Sequence, residues 1–282
     1  MILELPQPYD FELSTTRFRE FGTDGASRWH DGGLHRVVAG REVRIEAARG
    51  GVSVEPPSSS RLLGEPDAVA EGVGRFLGLP FELERFHEWA ADDPVLGPVV
   101  VSLAGFRPPL NPEPFEALVI AITTQQISLR AAAAIRSRFV ERFGVRHDVV
   151  WEFPTRERVA SADLADFDGL GFSQSKIAYV LGLARSELDL EALGLLPDEE
   201  VVAALTVLPG LGQWTADWFL ARHLARPRPW PAGDLGLRKA VSAFYAPGRS
   251  LSIGEVRSMG ERFAPFENLS AQFLLMGARL AG

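Results

Sequence analysis

The chain has 282 residues, 46% of them hydrophobic, which is enough apolar surface for a full core and for two domains. With no cysteine it cannot form disulfides, thiolate metal sites, iron-sulfur clusters or a cysteine nucleophile. A formal net charge of -8 argues against indiscriminate gripping of nucleic acid, because such affinity comes from neutralising phosphates.

The opening MILELPQPYDFE has neither a basic n-region nor an apolar h-region, and no apolar run approaches the roughly 18 residues of a membrane span. A soluble cytoplasmic protein is expected. A first helical segment falls within Ser14 to Phe21. LHRVVA, EVRIEA and GVSVE then alternate apolar and polar residues, separated by AGR and ARGG, as strands of an antiparallel meander do. A helix within Asp67 to Leu77 stops before Gly78 and Pro80. Residues 1–80 therefore read as a small α+β domain, with PPSSSR as a loop inside it.

From Phe81 the periodicity is helical, and residues 81–282 read as a larger all-helical domain. Phe115, Leu118, Val119 and Ile122 share a face, TTQQIS interrupts, and Ser128 is placed to N-cap a helix carrying Ile135, Phe139 and Phe143 that stops at Gly144. Another helix starts near Ser173 and buries Ile177, Val180 and Leu181. DEEVVAALTV, with its acidic first turn, leads into LPGLGQWTADWF. Two windows are basic: Arg130, Arg136, Arg138, Arg142 and Arg146 stand against Glu141, and Arg222, Arg226, Arg228, Arg238 and Lys239 against Asp217 and Asp234. Such windows mark an anion site or plain solvated helix faces.

Leu208 to Gly212 joins two helices, so the segment at about 198–224 reads as helix, hairpin, helix. Gly210 and Gly212 permit backbone dihedrals and close approach that a side chain blocks. Their amides, with those opening the next helix near Thr215, form an anion cradle if they converge; the plain alternative is a glycine C-cap. Trp214 and Trp218, one turn apart, are either core or a π-rich wall for a flat, electron-poor ring. Asp234 follows the Pro-rich RPRPWPAG and precedes a helix. Its plain role is an N-cap, which also holds a carboxylate ionised at the positive end of a dipole.

Together PQPYDFE, FEALVIAITTQQISLRAAAAIRSRFVERFG, LPGLGQWTADWF, PAGD and APFENLSAQFLL resemble, in that order, the helix-hairpin-helix DNA glycosylases, and among them the DNA-3-methyladenine glycosylase II family. The resemblance covers nearly the whole chain. It implies monofunctional hydrolysis of the bond between an alkylated purine and deoxyribose, after the nucleotide is flipped from damaged double-stranded DNA. It places Asp234 on the catalytic aspartate and Gln126 on the wedge that fills the vacated gap. Leu208, Gly210, Gly212 and Thr215 fall on the backbone-gripping hairpin, and Trp214, Trp218 and Phe18 on the walls of the base pocket. No cofactor and no metal site are implied, apart from a monovalent cation on hairpin carbonyls, and a monomer is expected.

The departures are Phe273-Leu274-Leu275-Met276 in place of a late aromatic pair, Leu235 after Asp234, and Glu267-Asn268 in place of an arginine-serine pair. Bifunctional relatives use a lysine amine where this chain has Trp214. The sequence contains only Lys176 and Lys239, so no lyase step is expected. A non-catalytic DNA-binding protein and a glycosylase for oxidised or deaminated bases are the competing readings.

Overall fold

Alternation along three segments builds the centre of the N-terminal sheet. In the computed structural model, which describes residues 1–56 and 66–281, β1 (Ile2–Glu4), β2 (Ser27–His30), β3 (Gly33–Val38), β4 (Arg41–Ala48) and β5 (Gly51–Glu55) form one antiparallel sheet in the order β1-β5-β4-β3-β2. Leu34, Ile45 and Val54 face one another across three strands and are fully buried. Asp31-Gly32 and Ala39-Gly40 all have positive φ, the hallmark of tight turns that match the twist of the strands they join. β1 and β2 were absent from the sequence reading. They are the edge strands, with one partner each, and at three and four residues are the shortest of the sheet. Most of PPSSSR lies outside the described residues.

The expected helix at 14–21 is two short helices, α1 (Phe11–Thr15), capped by Asp10, and α2 (Arg17–Glu20). The Thr16 hydroxyl donates to the Glu12 carbonyl at the junction, where the helix divides. α3 (Pro66–Phe76) lays Val69, Val73 and Phe76 on the sheet. The buried Arg36–Glu116 ion pair ties β3 to the helical region.

That region has two cores. α4 (Leu83–Ala90) and α5 (Leu96–Ser102) belong to one. α6 (Pro114–Thr124), α7 (Leu129–Phe143), α8 (Arg156–Ala160), α9 (Gln174–Arg185), α10 (Asp198–Thr206) and α11 (Gln213–Arg222) form the second, around Leu118, Phe139, Val180 and Leu205. The chain then returns, and α12 (Leu235–Tyr245), α13 (Ile253–Gly260) and α14 (Glu267–Ala281) complete the first core, around Phe86, Leu237, Phe263 and Phe273. The outgoing and returning segments cross where the Asn111 amide donates to the Arg222 carbonyl at 2.7 Å and His223 Nδ1 meets the Asn111 carbonyl at 2.8 Å. Two short strands, β6 (Val145–Arg146) and β7 (Trp151–Glu152), follow α7, an exception to the expected all-helical run. No helix among the described residues is long and apolar enough to cross a membrane.

Candidate active site

α10 ends at Thr206 and α11 begins at Gln213, so the hairpin lies where the sequence places it. Gly210 is required twice: its φ is +83°, and a Cβ there would sit 2.2 Å from the Tyr179 ring. At Gly212 the backbone is extended and a Cβ would meet nothing within 4 Å, so this glycine leaves open space instead of relieving crowding. The Thr215 amide does not join a cradle as the sequence reading had it. It donates to the Gly212 carbonyl at 2.9 Å, and its side chain is 1% exposed. Among the described residues no acceptor meets the amides of Gly210, Gly212 and Gln213.

The TTQQIS interruption docks onto this hairpin. Gln125 Nε2 donates to the Gly210 carbonyl at 2.8 Å, and Lys176 Nζ, at the start of α9, donates to the carbonyls of Thr123 and Gln125 at 2.8 and 2.7 Å. Lys176 is remote from the hairpin in sequence but braces the loop that touches it. Burial lowers its pKa. Gln126 is exposed and held at φ +57°, a left-handed conformation uncommon outside glycine. Ile127 and Leu129 beside it are also exposed, 37% and 44%.

Asp234 caps α12, Oδ1 accepting from the Leu237 amide at 2.9 Å, while Oδ2 accepts from the indoles of Trp214 at 2.9 Å and Trp218 at 3.1 Å. The N-cap reading is therefore realised in this carboxylate. Three of its roughly four lone-pair directions are used, and the carboxylate borders the cavity. The two tryptophans converge on Asp234 by their N–H edges. Trp218 is 7% exposed, and the Arg222 guanidinium lies 3.8 Å from its ring centroid, so much of this wall is interior with one face already covered.

A cavity of about 1040 Å³ opens between the two helical cores. Gln126, Gly212, Trp214, Thr215, Trp218 and Asp234 line it, whereas Leu208 and Gly210 do not. Phe18 borders an adjoining recess of about 140 Å³ and packs on Phe76, 5.3 Å between centroids. Its neighbour Arg17 reaches the main cavity. Arg17, Arg222 and Arg279 wall both spaces. Burial, reinforced by Arg222, Arg136 and Arg279, pushes Arg17 down to about 9; burial pushes Arg222 down to about 10, although Asp234 opposes the shift. Sequence reasoning missed Arg17, Arg279, Gln125 and Lys176, since no local pattern sets them apart.

Several arginines of the basic windows are committed to partners within the protein. Arg136 pairs with Asp24 at 2.5 Å, Arg138 donates to the Leu170 carbonyl, Arg226 holds the Gly194 and Leu196 carbonyls, Arg228 pairs with Glu267, and Arg238 faces the Leu251 carbonyl. From the second window only Arg222 and Lys239 line the cavity. No cluster of metal-binding side chains occurs among the described residues.

Residues 119–263 match the HhH-GPD superfamily base excision DNA repair protein family. Over 216 residues, 74% of this chain and 71% of the relative, the sequence is 27% identical to a DNA-3-methyladenine glycosylase of Bacillus subtilis. The fold superposes on a 3-methyladenine DNA-glycosylase from Archaeoglobus fulgidus with a TM-score of 0.86 and 29% identity, covering 100% of this chain and 99% of that one. An 8-oxoguanine glycosylase/lyase of Clostridium acetobutylicum shares the fold at a TM-score of 0.80 and 18% identity, over 97% and 92% of the two chains. Because the family match spans just over half of its length, the chain belongs to the HhH-GPD superfamily of base excision DNA repair proteins.

Proposed function

We propose that this protein is a monofunctional DNA glycosylase of base excision repair that removes alkylated purines, such as 3-methyladenine, from nucleotides flipped out of double-stranded DNA. The observation that carries the reading is Asp234, whose carboxylate is fixed by two indoles and a helix amide at the edge of the cavity between the helical cores. As the C1′–N bond breaks, its electron pair leaves with the base and positive charge develops on the sugar. The ionised carboxylate opposes that charge and accepts a proton from the water that adds at C1′. An alkylated purine already carries the positive charge a leaving group needs, so no strong general acid is required. The free amides of Gly210, Gly212 and Gln213 would hold the strand, and Gln126, flanked by exposed Ile127 and Leu129, would fill the gap in the duplex.

The absence of lyase chemistry is part of the proposal. It is supported by Trp214 at the position of the family's amine and by Lys176 being bound to two carbonyls; Lys239 is the remaining amine, on the cavity rim. A monovalent cation on the hairpin suits the donor set, because the Leu208 and Gly210 carbonyls accept one hydrogen bond each and keep a second lone pair. Its charge would add to the attraction for phosphate. A cytoplasmic monomer divided near residue 80 completes the reading.

Incubation with methylated duplexes, with released bases identified by mass spectrometry, tests the activity. Release by the wild-type protein but not by Asp234→Asn is expected, and equal release by both would overturn the role of Asp234. A borohydride-trapped protein–DNA adduct, lost in Lys239→Ala, would overturn the monofunctional assignment.

A further inference from the structure

Four cationic side chains, Arg17, Arg222, Lys239 and Arg279, line the cavity against one carboxylate, Asp234, and that carboxylate is already occupied by two indoles and an amide. Three of the four, the arginines, also wall the inner recess, whose other surfaces include Phe18, Phe21, Phe106 and Met276. Their charges are poorly compensated. Among the described residues Arg17 has no carboxylate within ion-pair distance; the Phe18 ring lies 5.1 Å away, and Asp24 favours its charge only from longer range. The Arg222 Nε is buried without an acceptor, and its guanidinium stacks on Trp218. Arg279 is 3.8 Å from Glu20, a long contact, and stacks on Phe21. The nearby Asp24 is committed to Arg136. Burial is the main cause of the depressed pKa of Arg17; the neighbouring guanidiniums add to it and Asp24 opposes it.

We propose that Arg17, Arg222 and Arg279 are specificity-determining residues that select, among flipped bases, those presenting carbonyl or ring-nitrogen acceptors without a formal positive charge, at the expense of cationic bases. This deepens the glycosylase reading and rests on it. A guanidinium lacks any acceptor and offers a planar fork of donors, so its natural partner is the acceptor edge of a heterocycle or an anion. A cationic ring meets like charge at each of the three positions, in a space where burial weakens screening. The aromatic and thioether walls of the recess suit the flat edge of a base better than a hydrated phosphate. Cationic alkylpurines remain substrates on this reading because their glycosidic bond is already weak; the guanidiniums act on binding.

The test uses duplexes carrying 2′-fluoroarabino nucleotides, whose glycosidic bond resists cleavage, with hypoxanthine or 7-methylguanine as the base. Both affinities are divided by that for a tetrahydrofuran abasic-site duplex, so that backbone contacts cancel. The wild-type protein is expected to favour hypoxanthine, and Arg222→Gln and Arg279→Gln are each expected to reduce the preference about tenfold, the scale of a hydrogen bond to a charged group. Arg279, about one-third exposed, supplies a variant that tolerates replacement should Arg222→Gln fail to fold. If all three duplexes weaken together in the variants while the ratio holds, the guanidiniums bind phosphate and the proposal is overturned. If the wild-type ratio favours 7-methylguanine, the proposal is equally wrong. Excision assays on normal deoxynucleotides separate the two claims: a preference that follows the arginines, with no base ever released, removes the glycosylase activity and leaves the pocket selectivity in place.

Discussion

Lys176 Nζ donates to the carbonyl of Gln125 at 2.7 Å, and Gln125 in turn donates to Gly210, so one half-buried ammonium links the start of α9, the loop after α6 and the hairpin. A charged donor to backbone carbonyls is among the stronger hydrogen bonds a protein makes. Lys176→Met is expected to lower single-turnover excision about tenfold through misplacement of Gln126, with Lys176→Arg restoring part of the loss. An unchanged rate in Lys176→Met would show that the loop holds its shape without the lysine.

Gln126 keeps a left-handed backbone that costs a side-chain-bearing residue roughly 1 kcal/mol, a cost glycine does not carry. Gln126→Gly should therefore leave the melting temperature unchanged or raised while slowing base release, since the group proposed to fill the duplex is gone. A fall in stability with undiminished excision would assign the residue to the turn alone.

Replacing Asp234 tests chemistry and architecture together. Asparagine caps helices well but has one acceptor oxygen where the aspartate uses two, so the amide cannot serve the Leu237 amide and both indoles at once. Asp234→Asn is expected to cost about 1–3 kcal/mol of stability by denaturant titration. Excision should fall by about a hundredfold or more, while abasic-duplex binding persists.

Burial raises the Asp217 carboxyl to about 6 against the ordinary 3.8, even though Gln213 hydrogen-bonds it. The folded state then binds the proton that the unfolded state releases, so this residue's contribution to stability falls as pH rises from about 4 to 6. His223 acts oppositely. Burial pushes it down to about 4, the unfolded chain binds more protons below its ordinary 6.5, and stability rises with pH over that range. The melting temperature of Asp217→Asn minus that of wild type should therefore grow from pH 4 to pH 6 and then level off, and a difference independent of pH would contradict the burial argument.

At Gly210 a methyl group would enter the Tyr179 ring with the backbone at φ +83°. Gly210→Ala is expected to destabilise by about 2–4 kcal/mol by chemical denaturation. Gly210→Ala combined with Tyr179→Ala should lose less than the sum of the single losses, because removing the ring relieves the clash while the cost of the left-handed backbone remains.

Local chemistry made much of this legible in the residues themselves. Alternation marks β3 to β5, Ser128, Ser173 and Asp234 cap the helices they precede, and the two glycines fall in the hairpin between α10 and α11. Each of these depends on neighbours within a few positions, so the signal survives in one dimension. Edge strands β1 and β2 have one partner each and are only three and four residues long, too short to carry a period. Tertiary structure alone decided which cations matter. Arg136, Arg226 and Arg228 belong to basic windows but are spent on ion pairs and carbonyls, while Arg17 and Arg279, from opposite ends of the chain, meet Arg222 at the cavity. Charge is written in the sequence, but its compensation and its solvent are set by whatever packs beside it, and that is known only once the two helical cores close around a common cleft.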